Sequence, residues 1–208
     1  MGLRPIWIII PSRMLERSKT RLAAILDPAE RRAFSRACLR HVVKVARHVA
    51  GARRTVVVSR AGEVLELARR LGVYALMEQR PGLNAAVRQA AEFAKRMGAS
   101  GIIVLHADLP QLSAKDVACL MGAVVRHRGV ALAPDRDLTG TNALGLRPPG
   151  RFRFRFGPGS FDKHCSEARR LRAHIRVVAR PGLAADVDTP KDYLTLVIAP
   201  GAKRPECV

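Results

Sequence analysis

The chain alternates short, wholly apolar runs with longer stretches whose apolar residues recur every three or four positions. That alternation predicts strands and helices in turn. The run Ile6-Trp7-Ile8-Ile9-Ile10 has no polar position on either face, as expected of a strand covered on both sides. Further strands are predicted over 55–59, 73–77, 101–105, 129–133, 141–146 and 175–179, and helices over 28–50, 63–71, 83–97, 114–127 and 160–171. Thr189-Pro190 opens a short final helix. Local punctuation supports these bounds: Asp27-Pro28 pairs a cap residue with proline at the first helical position, Ser113 and Ser160 read as caps, and Gly51, Gly72 and Gly98 stand where helices stop. The strand at 141–146 follows the one at 129–133 without the long helix that a parallel crossover needs, so the sheet is predicted to turn mixed there. The pattern as a whole predicts an α/β fold with a mostly parallel central sheet flanked by helices.

Length and composition narrow this picture. At 208 residues and 48% hydrophobic, the chain fits one domain with a real core, over 1–199, with a frayed tail at 200–208. The apolar run at 6–10 is too short for a membrane span or a secretory leader, which predicts a cytoplasmic protein with no membrane partner. Cys38, Cys119, Cys165 and Cys207 show no metal-binding spacing and are expected to be reduced.

Charge raises a second reading. With 37 basic and 17 acidic residues the formal net charge is +20, which invites a nucleic-acid-binding module. The arginines, however, are spread over the polar faces of nearly every predicted helix, and aromatic residues make up only 4% of the chain, so stacking platforms for single strands are scarce. Nucleic acid is therefore the lesser expectation. A general positive potential suits anionic small molecules such as nucleoside triphosphates.

Candidate chemistry gathers in the loops that follow the strands, where open α/β sheets hold their ligands. Asp108 closes the run at 102–105, and Asp186 and Asp188 lie far downstream; carboxylates at a sheet's carboxyl edge suit a hard cation such as Mg²⁺. Taken singly, Asp108 fits a turn before Leu109-Pro110 and Asp188 fits the lead-in to the Thr189-Pro190 cap equally well. After the first strand come Ser12-Arg13 and Arg17-Ser18-Lys19-Thr20-Arg21, cationic side chains able to hold a triphosphate or merely a solvated loop. Neither GxxxxGK[ST] nor GxGxxG is present. Gly140-Thr141-Asn142 opens a strand with small and polar residues that suit close approach of a ligand. Gly157-Pro158-Gly159-Ser160-Phe161 sets a glycine-rich turn before a helix, whose free amides suit a phosphate or carboxylate. His106 and His164 have no paired nucleophile and read as packing or supporting groups.

Eight segments in order carry a resemblance: Trp7 with Ile10-Pro11, Ser18-Lys19-Thr20-Arg21-Leu22, Gly82-Leu83-Asn84-Ala85-Ala86, Ala107-Asp108-Leu109-Pro110, Ala133-Pro134-Asp135-Arg136, Gly140-Thr141-Asn142-Ala143-Leu144, Phe156-Gly157-Pro158-Gly159-Ser160-Phe161 and Asp186-Val187-Asp188-Thr189-Pro190. Together they resemble the 2-phospho-L-lactate guanylyltransferase family of deazaflavin coenzyme F-420 biosynthesis. The resemblance implies one Rossmann-like nucleotidyltransferase domain of the nucleotide-diphospho-sugar transferase type. It implies transfer of GMP from GTP to the phosphate of a three-carbon acid, namely 2-phospho-L-lactate, phosphoenolpyruvate or 3-phospho-D-glycerate, with release of pyrophosphate. On matching positions, Asp108, Asp186 and Asp188 would be the catalytic, Mg²⁺-binding carboxylates. Thr141, Gly157 and Ser160 would hold the acid; Arg13, Lys19, Arg21 and Asn84 would serve the nucleotide. Where the family commonly has Val-Lys after the first Ile-Pro, this chain has Ser12-Arg13, which keeps the charge and changes its geometry. A molybdopterin guanylyltransferase is a related alternative, but its LxGGxSxRMG opening is missing.

Overall fold

A computed structural model describes residues 5–13, 19–127, 129–148 and 150–198. Arg17 and Ser18 of the basic loop, Cys207 and the tail at 200–208 lie outside them. Seven strands, β1 (Ile6–Pro11), β2 (Thr55–Ser59), β3 (Tyr74–Met77), β4 (Gly101–Leu105), β5 (Val130–Pro134), β6 (Thr141–Leu146) and β7 (Ile175–Val177), form one sheet in the order β3-β2-β1-β4-β6-β5-β7. Only β6 runs antiparallel, to β4 on one side and to β5 on the other; the remaining pairs are parallel. The short 135–140 connection before it leaves no room for a crossover, so the chain simply turns back.

Both faces of the sheet are covered, which explains the uninterrupted apolar strands. Ile6, Ile8 and Ile10 of β1 face one core, built with α1 (Pro28–Ala50), α2 (Gly62–Arg70) and α4 (Ala114–His127). Trp7 and Ile9 face a second, built with α3 (Leu83–Arg96) and α5 (Ser160–Arg170). A third, smaller cluster joins Leu22, Phe34, Cys38, Val187 and Leu196. It ties a 3₁₀ turn at Thr20–Ala24 to α1, to the 186–188 segment and to the last helix; α6 (Pro181–Ala184) and α7 (Pro190–Ile198) complete the chain order.

The helix bounds follow local chemistry closely. At the start of α1 the Asp27 carboxylate accepts from Glu30 N at 2.8 Å and Glu30 returns the bond to Asp27 N, a capping box; Gly51 closes the other end at φ 90°. One cap departs from expectation: Ser160 is the first helical residue of α5, and Gly159, left-handed at φ 65°, takes the cap position without a side-chain bond. The 3₁₀ turn and the four-residue α6 carry too few periodic positions to be read from sequence. Among the described residues no helix is long and apolar enough to cross a membrane, and Cys38, Cys119 and Cys165 form no disulfide.

Candidate active site

Chain direction decides where the crevice lies. β1 leads through α1 to β2 and β3 on one side, while β4 adds on the other, so the carboxyl ends of β1 and β4 part at a topological switch point. Because β6 opposes β4, its first residues stand at the same edge. A pocket of about 480 Å³ opens there, within the range of small-ligand sites. Of the ten residues singled out from sequence, nine line it: Arg13, Lys19, Arg21, Asp108, Thr141, Gly157, Ser160, Asp186 and Asp188.

Asn84 is the tenth, and its side chain is spent elsewhere. Its amide accepts from Phe156 N at 2.8 Å and donates to Phe156 O at 3.1 Å. Asn84 therefore braces the segment that enters Gly157.

At one end of the pocket the acidic groups meet a single ammonium. Lys19 Nζ lies 2.6 Å from Asp108 Oδ2 and 2.6 Å from Asp188 Oδ1, with its side chain only 6% exposed. Burial alone would pull the ammonium's pKa down, but the two carboxylates outweigh it and hold it above its usual value. Asp108 shows the reverse balance: burial pushes it up, and Lys19 with His106 brings it below the usual carboxylate range. Asp186 stays above that range, because burial and the charges of Asp108 and Asp188 outweigh the bond it accepts from Asn142 Nδ2 at 2.9 Å. Lys19 holds this position in the left-handed conformation, φ 57°, unusual for a side chain with a Cβ.

Two observations fit these residues to a hard cation. The other Asp108 oxygen, Oδ1, is buried and has no hydrogen-bond partner, an acceptor in want of a positive group. Lys19, between Asp108 Oδ2 and Asp188 Oδ1, shows that a positive group is accommodated between these carboxylates. Among the described residues no three His, Cys, Asp or Glu side chains are grouped closely enough to hold a metal ion, so Asp108, Asp186 and Asp188 would have to draw together and displace Lys19 to do so. An open arrangement suits Mg²⁺, which takes one or two carboxylates and completes its shell with substrate oxygens and water.

The end formed by Asp135, Thr141, Gly157 and Ser160 is polar and carries one carboxylate. Thr141 is 2% exposed, and its Oγ1 lies 3.0 Å from His164 Nδ1. Asp135 accepts from Thr139 N at 2.9 Å and Gly140 N at 2.7 Å, fixing the loop that delivers Thr141. The helix-terminal amides are less available than the sequence suggests: Ser160 N donates to Gly157 O at 3.0 Å and Phe161 N to Thr139 O at 3.1 Å. What this end offers an anion is therefore more a matter of Thr141 and Ser160 than of a row of free backbone donors. Asn142, expected to touch a ligand, instead orients Asp186.

Two residues of α1 also reach the pocket without having been singled out from sequence. Ser35 and Cys38 reach the pocket wall from α1; burial pushes the Cys38 thiol up to about 12, so it stays protonated and supplies no thiolate. His164, which reads from sequence as packing or a supporting group, takes the supporting place: it sits four residues after Ser160, one helical turn along the same inward face. That spacing was the available signal.

Carboxylates, a buried ammonium and two rim guanidinium groups thus share one pocket at the switch point. The family model described as "Guanylyl transferase CofC like" matches residues 6–205. The chain belongs to that family. Phosphoenolpyruvate guanylyltransferase of Rubrobacter xylanophilus is 40% identical over 198 residues, covering 95% of this chain and 96% of the relative. The enzyme of the same name from Sphaerobacter thermophilus is 40% identical over 184 residues, 88% of each chain. Solved structures share the fold. A Desulfovibrio desulfuricans chain described as a nucleotide-diphospho-sugar transferase superposes with a TM-score of 0.75 at 16% identity, covering 93% of this chain and 87% of that one. CMP:2-keto-3-deoxy-manno-octonic acid synthetase gives 0.60 at 16% identity, covering 92% and 96%. This CofC-like guanylyl transferase thus has a nucleotide-diphospho-sugar transferase fold built on a mixed, mostly parallel sheet.

Proposed function

We propose that the protein is a phosphoenolpyruvate guanylyltransferase, transferring GMP from GTP to the phosphate of phosphoenolpyruvate. The observation that carries this reading is the 40% identity, over nearly the whole of both chains, to an enzyme of that name. The pocket is compatible with it in lining one cavity with Asp108, Asp186 and Asp188, the cations Arg13, Lys19 and Arg21, and the hydroxyl residues Thr141 and Ser160. In this reading the product serves deazaflavin coenzyme F-420 biosynthesis, as the sequence resemblance implies.

An oxygen of the acid's phosphate attacks the α-phosphorus of GTP, and a new P–O bond forms. The bond from the α-phosphorus to its bridging oxygen breaks, and pyrophosphate leaves with that electron pair. The nucleophile is already an anion at neutral pH, so no side chain has to remove a proton from it. Catalysis therefore rests on positioning and on charge compensation.

Asp108, Asp186 and Asp188 are the residues that would hold Mg²⁺. Bound there, it would neutralise charge on the triphosphate oxygens and on the departing pyrophosphate. Arg13 and Arg21, both exposed on the rim, bring guanidinium donors to the phosphates. Lys19 exchanges a carboxylate partner for a phosphate oxygen as the polyanion enters, keeping its charge throughout. Thr141, Gly157 and Ser160 hold the acid.

Incubation of the purified protein with GTP, Mg²⁺ and each of phosphoenolpyruvate, 2-phospho-L-lactate and 3-phospho-D-glycerate tests the reading by pyrophosphate release. Phosphoenolpyruvate is expected to give the highest kcat/KM. Preference for another acid corrects the substrate, and no release with any of the three overturns the reading.

A further inference from the structure

The ring of His164 is fully buried and makes two hydrogen bonds that between them leave it no freedom of protonation. The Arg155 backbone N–H donates to Nε2 at 3.0 Å, so Nε2 must be the bare nitrogen. A proton on Nε2 would set donor against donor. In a neutral ring the proton then belongs to Nδ1, and Nδ1–H donates to Thr141 Oγ1 at 3.0 Å. Burial, helped by His106 and opposed by Glu167, lowers the ring's pKa from 6.5 to about 4, which keeps it neutral. Phe156 packs edge-on at 4.7 Å and Phe152 at 5.7 Å, so the ring cannot turn over to present another edge.

The consequence falls on Thr141. A hydroxyl that accepts from Nδ1–H keeps its own proton for another partner, and Thr141 lines the pocket. We propose that His164 is a positioning residue: it commits the Thr141 hydroxyl to act as a donor into the pocket, aimed at an unprotonated oxygen of the acid substrate. This rests on the reading of Thr141 as a ligand of that acid. It adds a preference, because a phosphate or carboxylate oxygen takes the hydroxyl's proton, whereas a ligand N–H finds only the one lone pair that Nδ1–H leaves open.

The test pairs His164→Asn with His164→Gln in the full-length enzyme. The Asn amide can replace the donor at Nδ1 while losing the Arg155 acceptor; Gln can reach the Arg155 amide while losing the donor to Thr141. Both lose the ring's packing, so a purely structural role predicts equal damage, or less in Gln. Expected are a rise in the acid's KM of about 10-fold in Thr141→Val and in His164→Gln, little change in the KM for GTP, and recovery to within about threefold of wild type in His164→Asn. No change in Thr141→Val overturns the underlying reading together with the inference. A rise in Thr141→Val without one in His164→Gln, or with equal rises in both His164 variants, overturns the inference alone. Nitrogen-15 NMR of the wild-type ring needs no variant: a proton found on Nε2 at neutral pH overturns it outright.

Discussion

Lys19 and Asp108 perturb each other in opposite directions, and the same contact raises the basicity of the ammonium and lowers that of the carboxylate. A depressed carboxylate stabilises the folded state above its unfolded pKa and loses that contribution as pH falls through the folded value. The raised ammonium works the other way, contributing below its unfolded pKa and losing it as pH rises. The contact is thus intact across neutral pH. Replacing Asp108 with Asn removes the charge without removing the shape. Turnover is expected to fall by at least about 100-fold, with circular dichroism unchanged. Activity near wild type would remove Asp108 from the proposed cation site. His164 sets an acid limb of its own. Its folded pKa lies below the 6.5 of the free ring, so stability is complete above 6.5 and declines as pH falls toward about 4. The loss attributable to this group reaches roughly 3 kcal/mol at pH 4. Urea unfolding from about pH 7.5 down to about pH 4.5 is expected to show a steeper decline in wild type than in His164→Asn. Parallel profiles would mean that the ring is not buried neutral.

At the scale of elements, what the sequence made legible is what short-range chemistry dictates. The limits of α1 were readable because Asp27, Pro28 and Gly51 act within a few residues of themselves. The turn to a mixed sheet was readable because 135–140 is too short to cross over. What stayed hidden depends on partners far along the chain. Asn84 is claimed by Phe156, 72 residues away, and Lys19 by Asp108, 89 residues away; no local pattern announces either. The expected anion site at α5 was half hidden for the same reason, since the carbonyl that takes Phe161 N belongs to Thr139. The nine predicted residues that share one pocket were legible chiefly through the eight family segments in order, with the strand-end rule pointing to Asp108 and to the loop after the first strand. Packing of α4 on β6 offers an element-scale test. A Cβ added to Gly145 would collide with Val124 Cγ2, so only glycine lets the helix sit that close. Gly145→Ala is expected to cost about 1–3 kcal/mol by displacing α4, read as a lower urea midpoint with unchanged slope. A neutral result would show that α4 has room to shift.

For the whole molecule, the third core cluster matters more than its size suggests. Leu22 follows the basic residues of the 3₁₀ turn, and Val187 lies between Asp186 and Asp188, so these buried residues anchor opposite sides of the acidic end. Leu196 closes the cluster from α7 and is itself 7% exposed. Leu196→Ala is expected to destabilise this cluster by about 2 kcal/mol. Hydrogen exchange should speed up at 19–26 and 186–198 while amides of β1 and β4 keep their protection. Uniform loss of protection would mean that the three clusters unfold as one. During synthesis the same feature imposes an order of events. The sheet's central strands and most of its covering helices are made early, but Lys19 waits 169 residues for Asp188, and the small core beneath that pair waits for Leu196. A nascent chain would therefore own a folded sheet well before it owned a working acidic end, and catalytic competence would arrive only once α7 had been made.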